Sequence, residues 1–328
     1  MTTMQDNYKG SLTLKERTNI DTFVHSGESV RQAAKSADVP YGKARGYVEW
    51  SEKALPDLLP PPPADQPAIL IFDIETTPSQ GWFWGHSIYK VNVIDIIEHW
   101  FMLSVAYKWL GQDEVGYFGL SDDPHWTGGS TNDSYVVKRL HRLLDQADII
   151  ITQNGDKFDV KSANTRFLKH GLGPTSPFQS IDTLTESRRY FKRESHSLKY
   201  QARFSGIEEK RSNSGLQLWF DCMDGVPEAW EEIKGYNVQD VVVTEELYLE
   251  LRPWMGTPGK KGHPNLGHWV YSDEVTCPNC ASDRLAKRGR HRTKVSVFQT
   301  YQCKECGAYS RSRLRDPQRT QADNVHLV

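Results

Sequence analysis

The sequence predicts an α/β domain that lies between two smaller domains, one all-α and one held together by cysteines. Three observations predict this arrangement. Apolar strand-like runs alternate with amphipathic helical runs between residues 68 and 255. Residues 12–50 show helical periodicity, and two C-x-x-C pairs stand near the end of the chain. A chain of 328 residues has room for this organisation, at roughly 150 residues per domain.

A helix-turn-helix domain is expected over residues 1–50. LTLKERTNIDTFVHSG has helical spacing and stops at a glycine, and SVRQAAKSADVPYGKARGYVEW is broken at Asp-Val-Pro. The turn resembles those of small DNA-binding domains from phage and bacterial regulators. The residues that would then begin the helix offered to the major groove are Tyr41, Lys43, Ala44, Arg45 and Tyr47. The alternative is a three-helix bundle that packs on a neighbour or binds protein.

Residues 51–67, SEKALPDLLPPPPADQP, are expected to be a linker. Proline fixes its own φ and lacks an amide hydrogen, so four consecutive prolines cannot continue a helix or a central strand. They favour extended polyproline, which acts as a semi-rigid spacer. A domain boundary is therefore predicted here, with a proline-rich ligand for another protein as the less favoured alternative.

Strand and helix patterns alternate over residues 68–255. AILIFDIE, WFMLSVAYKWL and EVGYFGL are predicted to be successive strands, and SYVVKRLHRLLDQ an amphipathic helix. ADIIITQN is predicted to be a buried strand, followed by the helix FDVKSANTRFLKHG. Further helices are predicted around ESRRYFKRE, HSLKYQARFSG and PEAWEEIKGYNVQDVVVTEELYLEL. This order predicts an α/β domain.

Two carboxylates stand at the end of the first strand, in ILIFDIETTP. Side chains alternate between faces of a strand that rises ~3.3 Å per residue, so Asp73 and Glu75 share a face about 7 Å apart along the chain. Two like charges repel there unless a shared proton, a basic partner or a metal ion compensates them. The pair alone is weak evidence, because the same pattern occurs where a strand ends in solvent.

Two later stretches supply further acids. Asp159 is placed on the first turn of a helix, next to Phe158, which is expected to be a buried anchor. Tyr236 and Asp240 are four residues apart in a predicted helix and therefore share its face. A strand end, a helix start and a helix face can thus bring four carboxylates to one cleft.

The predicted acidic cleft favours divalent cations. Hard oxygen donors without cysteine or histidine suit Mg²⁺ or Mn²⁺, which keep several waters and also bind phosphate oxygens. Two such ions roughly 3.5–4 Å apart can activate a water and stabilise the leaving oxygen of a phosphodiester. The predicted cofactors are therefore two Mg²⁺ or Mn²⁺ ions, and the predicted chemistry is phosphodiester hydrolysis.

Three ordered motifs carry a resemblance to a known family: Asp73-Ile-Glu75-Thr76-Thr77, Asn154-x-x-x-Phe158-Asp159 and Tyr236-x-x-x-Asp240. They resemble the exonuclease motifs of the DEDD, or DnaQ-like, superfamily in its tyrosine-containing branch. The resemblance covers residues 68 to about 252 and implies a ribonuclease-H-like fold, a mixed sheet flanked by helices. IETTPSQGWFWG and HWFMLSVAYKWLGQDEV also look like phage-encoded stand-alone members, which implies a phage or prophage origin.

The resemblance implies a catalytic role for each matching residue. Asp73 would bridge both metal ions. Glu75 and Asp240 would complete the tighter site, and Asp159 would hold the second ion partly through water. Tyr236 would orient the attacking water by hydrogen bonding.

Three residues are implied to bind substrate. Asn154 and the backbone or hydroxyls of Thr76 and Thr77 would touch the 3′-terminal nucleotide. The sequence departs from the commonest pattern at Gln153, where many relatives have histidine, and in a Thr-Pro pair where many have glycine. Neither change removes a metal ligand. His196 is the alternative to the tyrosine for positioning water, although its early place in the sequence favours a capping or substrate role.

The C-terminal cysteines predict a zinc ribbon over residues 256–315, followed by a tail over residues 316–328. C-P-N-C and C-K-E-C are separated by 22 residues, a spacing typical of a closed tetrahedral Zn²⁺ site with a structural role. The predicted ligands are Cys277, Cys280, Cys303 and Cys306. The segment resembles zinc ribbons of transposases and phage DNA-processing proteins, which implies nucleic-acid binding. A protein-docking ribbon is the alternative.

Positive charge is concentrated in this segment. Residues 281–315 contain ten Lys or Arg and two Asp or Glu, a net charge of +8, whereas the whole chain carries −2. Lys and Arg that neutralise phosphates release counterions, so a polyanionic partner is expected. A solvated basic surface is the alternative. The predicted partner is DNA, with RNA as the other nucleic acid that the residues allow.

Composition excludes a membrane protein. No apolar run approaches the ~20 residues of a membrane helix. The stretch MTTMQDNYKGSLTLKER has no apolar core typical of a secretory signal or a transit peptide. A cytoplasmic location is expected, in a bacterial host if the chain is phage-encoded.

The sequence therefore predicts a metal-dependent exonuclease that removes nucleotides from 3′ ends of DNA and carries two accessory DNA-binding modules. Two alternatives remain open. One is a structure-specific endonuclease of the same fold. The other is a DNA-binding regulatory or recruitment protein in which the nuclease fold is not catalytic.

Overall fold

A computed structural model describes residues 10–25, 29–53, 58–83, 93–207, 213–256, 263–270, 274–293 and 296–316. The tail predicted over residues 316–328 lies outside these ranges from residue 317 onward, and so do residues 54–57 of the predicted linker. Among the described residues, no helix combines the length and the apolar character that crossing a bilayer requires.

The N-terminal helices agree with the three helices expected from the sequence. They are α1 (Leu14–His25), α2 (Val30–Ser36) and α3 (Tyr41–Lys53). Ser29 begins α2 because its hydroxyl accepts from the Gln32 N–H while the Gln32 side chain accepts from the Ser29 N–H, a capping box. Asp38 has a φ of +54°, a left-handed conformation that ends the turn before α3.

A small apolar core holds these helices together. It contains Leu12, Ile20, Ala34, Ala44 and Tyr47, among others. Ala44 and Tyr47, two residues of the helix expected to enter the major groove, are both 0% exposed and pack in this core. The helical period of 3.6 residues turns them toward the core, and Tyr41, Lys43 and Arg45 remain on the exposed side.

The central sheet is mixed and five-stranded. Its strands are β1 (Ile69–Thr76), β4 (Met102–Trp109), β5 (Gly116–Gly119), β6 (Ile149–Thr152) and β7 (Gln179–Asp182), in the order β5-β4-β1-β6-β7. β1 pairs antiparallel with β4 and parallel with β6, and β6 pairs parallel with β7. A separate hairpin joins β2 (Gln80–Phe83) to β3 (Val93–Glu98).

Helices cover both faces of the central sheet, which confirms the predicted fold class. They are α4 (Ser134–Leu144), α5 (Asp159–Lys169), α6 (Thr183–Tyr190), α7 (Leu198–Ser205), α8 (Leu216–Met223) and α9 (Pro227–Leu251). The hairpin, β7 and α8 were not predicted. Their apolar residues are too few or too irregularly spaced to give a clear period.

The side chains of β1 alternate between the two apolar cores. Leu70, Phe72 and Ile74 pack with α4 and α5, whereas Ile69 and Ile71 pack with α7 and the second half of α9. This alternation follows from the two-residue period of a strand. The odd-numbered residues of β1 therefore face α9.

The predicted linker is partly in contact with the central domain. The backbone N–H of Leu59 donates to the Tyr107 hydroxyl at 2.7 Å, and the indole of Trp109 donates to the Leu59 carbonyl at 3.0 Å. The Gln112 side chain donates to the Pro60 carbonyl at 3.2 Å. Residues 58–60 are thus held along the sheet rather than extended into solvent.

The C-terminal region is a small antiparallel sheet next to the cysteine cluster. Its strands are β8 (Leu285–Arg292), β9 (Val297–Cys303) and β10 (Tyr309–Arg311), in the order β10-β9-β8. The side-chain amide of Asn279 donates to the carbonyls of Arg252 and Met255 at 2.7 and 3.2 Å. These bonds attach the cysteine-bearing turn to the end of α9.

Candidate active site

Three carboxylates meet where β1 passes under α9. One oxygen from each of Asp73, Glu75 and Asp240 lies within 4.8 Å of the others. Asp240 is 4% exposed, and the two residues of β1 are partly exposed. The periods of the strand and of the helix produce this arrangement. Side chains alternate along β1, so Asp73 and Glu75 both face α9, and Asp240 is one of the buried residues of α9 that face β1.

A hydrogen-bonded chain fixes the position of Asp73. The side-chain amide of Asn237 donates to Oδ2 of Asp73 at 2.7 Å and to its backbone carbonyl at 3.2 Å. The Ser104 hydroxyl, on β4, donates in turn to Oδ1 of Asn237 at 3.1 Å. Asn237 and Ser104 are both fully buried. The sequence did not single out either residue, although Asn237 is a polar residue in the otherwise mostly apolar buried stripe of α9.

The fourth predicted ligand, Asp159, is adjacent to this group rather than within it. Its carboxylate lies at the start of α5 and accepts from the backbone N–H of Ile74, between the two acids of β1, at 3.2 Å. Its oxygens fall outside the 4.8 Å group. Burial raises the pKa of Asp159 to about 7, and the nearby carboxylate of Asp182 acts in the same direction. A cation would relieve both effects.

Tyr236 precedes Asp240 by one helical turn, as the sequence predicted. The ring is partly exposed and meets Trp219 of α8 edge-on, with ring centroids 6.3 Å apart. This contact restricts the ring while leaving part of it accessible. Its role in orienting water stays a prediction.

The turn between β6 and α5 has a constrained backbone. Asn154 has a φ of +70°, a conformation that asparagine tolerates better than most residues, and its N–H donates to Oδ1 of Asp182 at 3.0 Å. A Cβ on Gly155 would lie 2.1 Å from the Thr152 hydroxyl, so the turn requires glycine there. Phe158 is 44% exposed, and the expectation of a buried anchor is therefore wrong.

The two threonines at the end of β1, Thr76 and Thr77, differ in exposure and in hydrogen bonding. Thr76 is partly exposed beyond a register shift that follows Glu75. Thr77 is 3% exposed, and its hydroxyl accepts from the Phe101 N–H at 3.0 Å while its own N–H donates to the Phe101 carbonyl. The Thr77 side chain thus holds the strand end, and substrate contact by either threonine stays a prediction.

His196 belongs to a structural hydrogen-bond group. Its Nδ1 is bonded to the Ser187 hydroxyl at 2.8 Å, and its carbonyl accepts from the side chains of Gln153 and Gln201. Burial lowers the pKa of His196, and the positive charge of Arg188 acts in the same direction. These contacts tie together the residues that precede α5 and α7.

A buried ionic cluster, not predicted from the sequence, supports α5. Asp133 accepts from the guanidinium of Arg166, from Nε2 of His170 at 2.6 Å and from the backbone N–H of Met102 at 2.8 Å. Burial alone would raise the pKa of Asp133, but the bonds from His170 and Arg166 outweigh it and hold that pKa below its usual value. The cluster joins α5, which carries Asp159, to the start of β4.

The four C-terminal cysteines form the second candidate metal site. Their sulfurs all lie within 4.8 Å of one another, and Sγ of Cys277 is 3.7 Å from Cys306, as is Sγ of Cys280 from Cys303. A tetrahedral Zn²⁺ with Zn–S bonds of ~2.3 Å requires sulfurs about 3.8 Å apart, which these pairs match. The donor set and its spacing therefore fit a closed zinc site.

Comparison with known proteins gives a family match for part of the chain. A sequence model of the RNase H superfamily matches residues 124–252, which include Asp159, Tyr236 and Asp240 but not β1. Among solved structures, the family B DNA polymerase from the hyperthermophilic archaeon Pyrobaculum calidifontis is similar, at 17% identity and a TM-score of 0.42. The similarity covers 61% of this chain and 26% of the polymerase. No curated protein matches. The central domain is RNase H-like.

Proposed function

We propose that this chain is a divalent-metal-dependent nuclease that removes nucleotides from the 3′ end of DNA. One observation carries the proposal. Oxygens of Asp73, Glu75 and Asp240 converge within 4.8 Å, and Asp159 is hydrogen-bonded to the backbone between the first two. Four carboxylates from β1, α5 and α9 then surround one end of an RNase H-like sheet.

The donor set fits Mg²⁺ or Mn²⁺, since every predicted ligand is a hard oxygen. Asp73 would be shared between two ions, with Glu75 and Asp240 on one and Asp159 on the other. Bound at this site, the two ions would activate water and stabilise the leaving oxygen of a phosphodiester. The raised pKa of Asp159 supports the assignment, because burial makes its charged form unfavourable without a compensating cation.

The chain's own residues would position the reaction. Asn237 holds Oδ2 of Asp73, which fixes the orientation of this carboxylate. The Tyr236 hydroxyl would orient the attacking water, and its partly exposed ring is compatible with that role. Asn154 and Thr76 would contact the 3′-terminal nucleotide, and Thr77 would contribute through its backbone.

Two accessory modules would bind DNA. Residues 1–50 would form a helix-turn-helix domain that offers Tyr41, Lys43 and Arg45, and residues 51–67 would link it to a nuclease domain over residues 68–255. Residues 256–315 would form a zinc ribbon held by the four cysteines, followed by a tail over residues 316–328. The proposed location is the cytoplasm, in a bacterial host if the chain is phage-encoded.

Cleavage of a 5′-labelled oligonucleotide tests the proposal directly. With Mg²⁺ or Mn²⁺, we expect a ladder that shortens from the 3′ side and release of nucleoside 5′-monophosphates. The Asp73→Ala variant should lose at least about a hundredfold in rate. Asp113→Ala is a matched control, because Asp113 is an exposed carboxylate between β4 and β5, at the end of the sheet opposite the acidic cluster. A 3′-phosphorothioate should slow the first step.

The same assay separates the alternatives. A single internal cut would support a structure-specific endonuclease instead of an exonuclease. Full-length DNA after long incubation with either cation would support a non-catalytic regulatory protein. Comparison of single-stranded DNA, duplex DNA and RNA of one sequence would define the substrate class.

A further inference from the structure

One face of the C-terminal sheet combines aromatic and cationic side chains. Directly paired residues of antiparallel strands share a face, and the register pairs His291 with Phe298, Thr300 with Arg311 and Gln302 with Tyr309. Phe298, Thr300 and Gln302 alternate along β9 and therefore lie on the same side. We call this surface the aromatic face, and it consists of Arg288, His291, Phe298, Gln302, Tyr309 and Arg311.

Contacts within the aromatic face keep its groups in place without burying them. The guanidinium carbon of Arg311 lies 4.2 Å from the centroid of the Phe298 ring, and the His291 ring centroid lies 6.4 Å from it. Nε of Arg288 donates to the Gln302 side chain at 3.0 Å. Tyr309 is 63% exposed. The face therefore presents rings and guanidinium groups that are already ordered.

The arginines of the aromatic face differ from two other arginines of the sheet, which are neutralised by carboxylates. On the opposite face Arg290 donates to Asp316 at 2.9 Å, and at the sheet end Arg284 pairs with Glu305. Within the part of the chain that the structure describes, no carboxylate lies within 4.0 Å of the guanidinium nitrogens of Arg288 or Arg311. The net charge of +8 over residues 281–315 adds a favourable potential for a polyanion.

We propose that the aromatic face binds single-stranded DNA, with a base stacked on Tyr309 and phosphates beside Arg288 and Arg311, the latter held in place over the Phe298 ring. A base stacks on an aromatic ring only when it is outside a duplex, whose bases already stack on each other. Guanidinium groups beside the rings bind the backbone that links successive bases. The choice of DNA rests on the proposed function, because this is the strand that the nuclease would shorten.

Fluorescence anisotropy with the full-length protein and labelled oligothymidine tests the stacking. Binding is measured with neither added divalent cations nor chelator, so that cleavage is prevented and bound zinc is retained. Tyr309→Leu should weaken binding at least about fivefold, whereas Tyr309→Phe, which keeps the ring, should leave binding unchanged. Phe298→Leu should also weaken it. Zinc content and circular dichroism verify that each variant is folded.

Two variants that each remove one positive charge test the proposed phosphate contact. Arg311→Gln should lower the slope of log affinity against log salt by about 0.7, the value for one phosphate contact on a single strand. Lys287→Gln removes the same charge from an exposed side chain that pairs with Tyr301 on the other face, and it should leave the slope unchanged. Equal effects of the two variants would overturn the proposed geometry.

Three other outcomes would overturn the proposal: unchanged oligothymidine binding by Tyr309→Leu, a loss of duplex DNA binding in that variant at least as large as its loss of single-stranded DNA binding, or a larger loss of binding to RNA of the same sequence. Failure of the proposed nuclease function can be distinguished from failure of the aromatic-face proposal. If the wild type cleaves DNA but Tyr309→Leu binds normally, only the aromatic face is refuted. If the wild type does not cleave but the variants bind as expected, the face stands and the nuclease proposal falls.

Discussion

Asn237 donates a hydrogen bond from its side-chain amide to Oδ2 of Asp73, with 2.7 Å between the two atoms. The two residues are 164 positions apart in sequence, and Asn237 is fully buried between α9 and the sheet. The same amide group also binds the Asp73 carbonyl. The bond therefore fixes both the backbone and the carboxylate of the residue that we propose to be shared between two cations.

Removal of this amide should weaken cation binding. We expect Asn237→Ala to raise the dissociation constant for Mn²⁺ by about 10- to 100-fold, the usual effect of losing a group that orients a metal ligand. Isothermal titration calorimetry measures the change independently of cleavage. Gln217→Ala removes an exposed amide from α8 and serves as the matched control. An unchanged Mn²⁺ affinity in Asn237→Ala would refute the orienting role.

The pKa of Asp159 predicts how stability depends on pH when no divalent cation is added. The pKa is about 7 in the folded chain and about 4 in an unfolded one, so the folded state binds the proton more tightly. Stability should therefore fall as pH rises from about 4 to about 7 and change no further above that range. We expect Asp159→Asn to exceed the wild type by up to about 4 kcal/mol at pH 8 and to match it at pH 4.

Urea denaturation at a series of pH values, without chelator, measures this difference. Added Mn²⁺ should stabilise the wild type at pH 8 more than it stabilises Asp159→Asn. A pH-independent difference between the two proteins would show that Asp159 does not ionise in this range.

The cluster around Asp133 should contribute to stability rather than to chemistry. Asp133→Asn leaves the buried guanidinium of Arg166 without its countercharge, and removal of one partner from a buried pair typically costs about 3 to 5 kcal/mol. Because the pKa of Asp133 is lowered, this stabilisation is present above the unfolded value and is lost as pH falls through the folded value. Denaturation should show a large difference in the free energy of unfolding between the wild type and Asp133→Asn at pH 7, and a smaller difference at pH 3.

Zinc removal should unfold the C-terminal sheet and spare the central domain. We expect no cysteine to react rapidly with a thiol reagent in the zinc-bound protein, and four to react after chelation. Cys222 is fully buried in the central core and serves as the internal control. It should stay unreactive until the central domain unfolds. Rapid reaction of all five cysteines after chelation would show that the two regions unfold together.

Residues that depend on a local period were predictable from the sequence. Alternation along β1 placed Asp73 and Glu75 on one face, and helical spacing put Tyr236 and Asp240 on one side of α9. The helices and strands around them were predicted for the same reason, whereas β7 and α8 are short and lack a clear period. The paired C-x-x-C motifs predicted the cysteine cluster in a different way, through a spacing typical of zinc ligands.

The sequence by itself determined which acids and apolar residues share a face, because the backbone geometry of a strand or helix fixes that relation within a few residues. Only the tertiary structure decided that Asn237 binds Asp73, that Asp159 stands beside the acidic group, and that Phe158 is exposed. Those relations depend on where α5 and α9 cross the sheet. The crossing is set by the packing of two apolar cores, whose contacts join residues far apart in the chain.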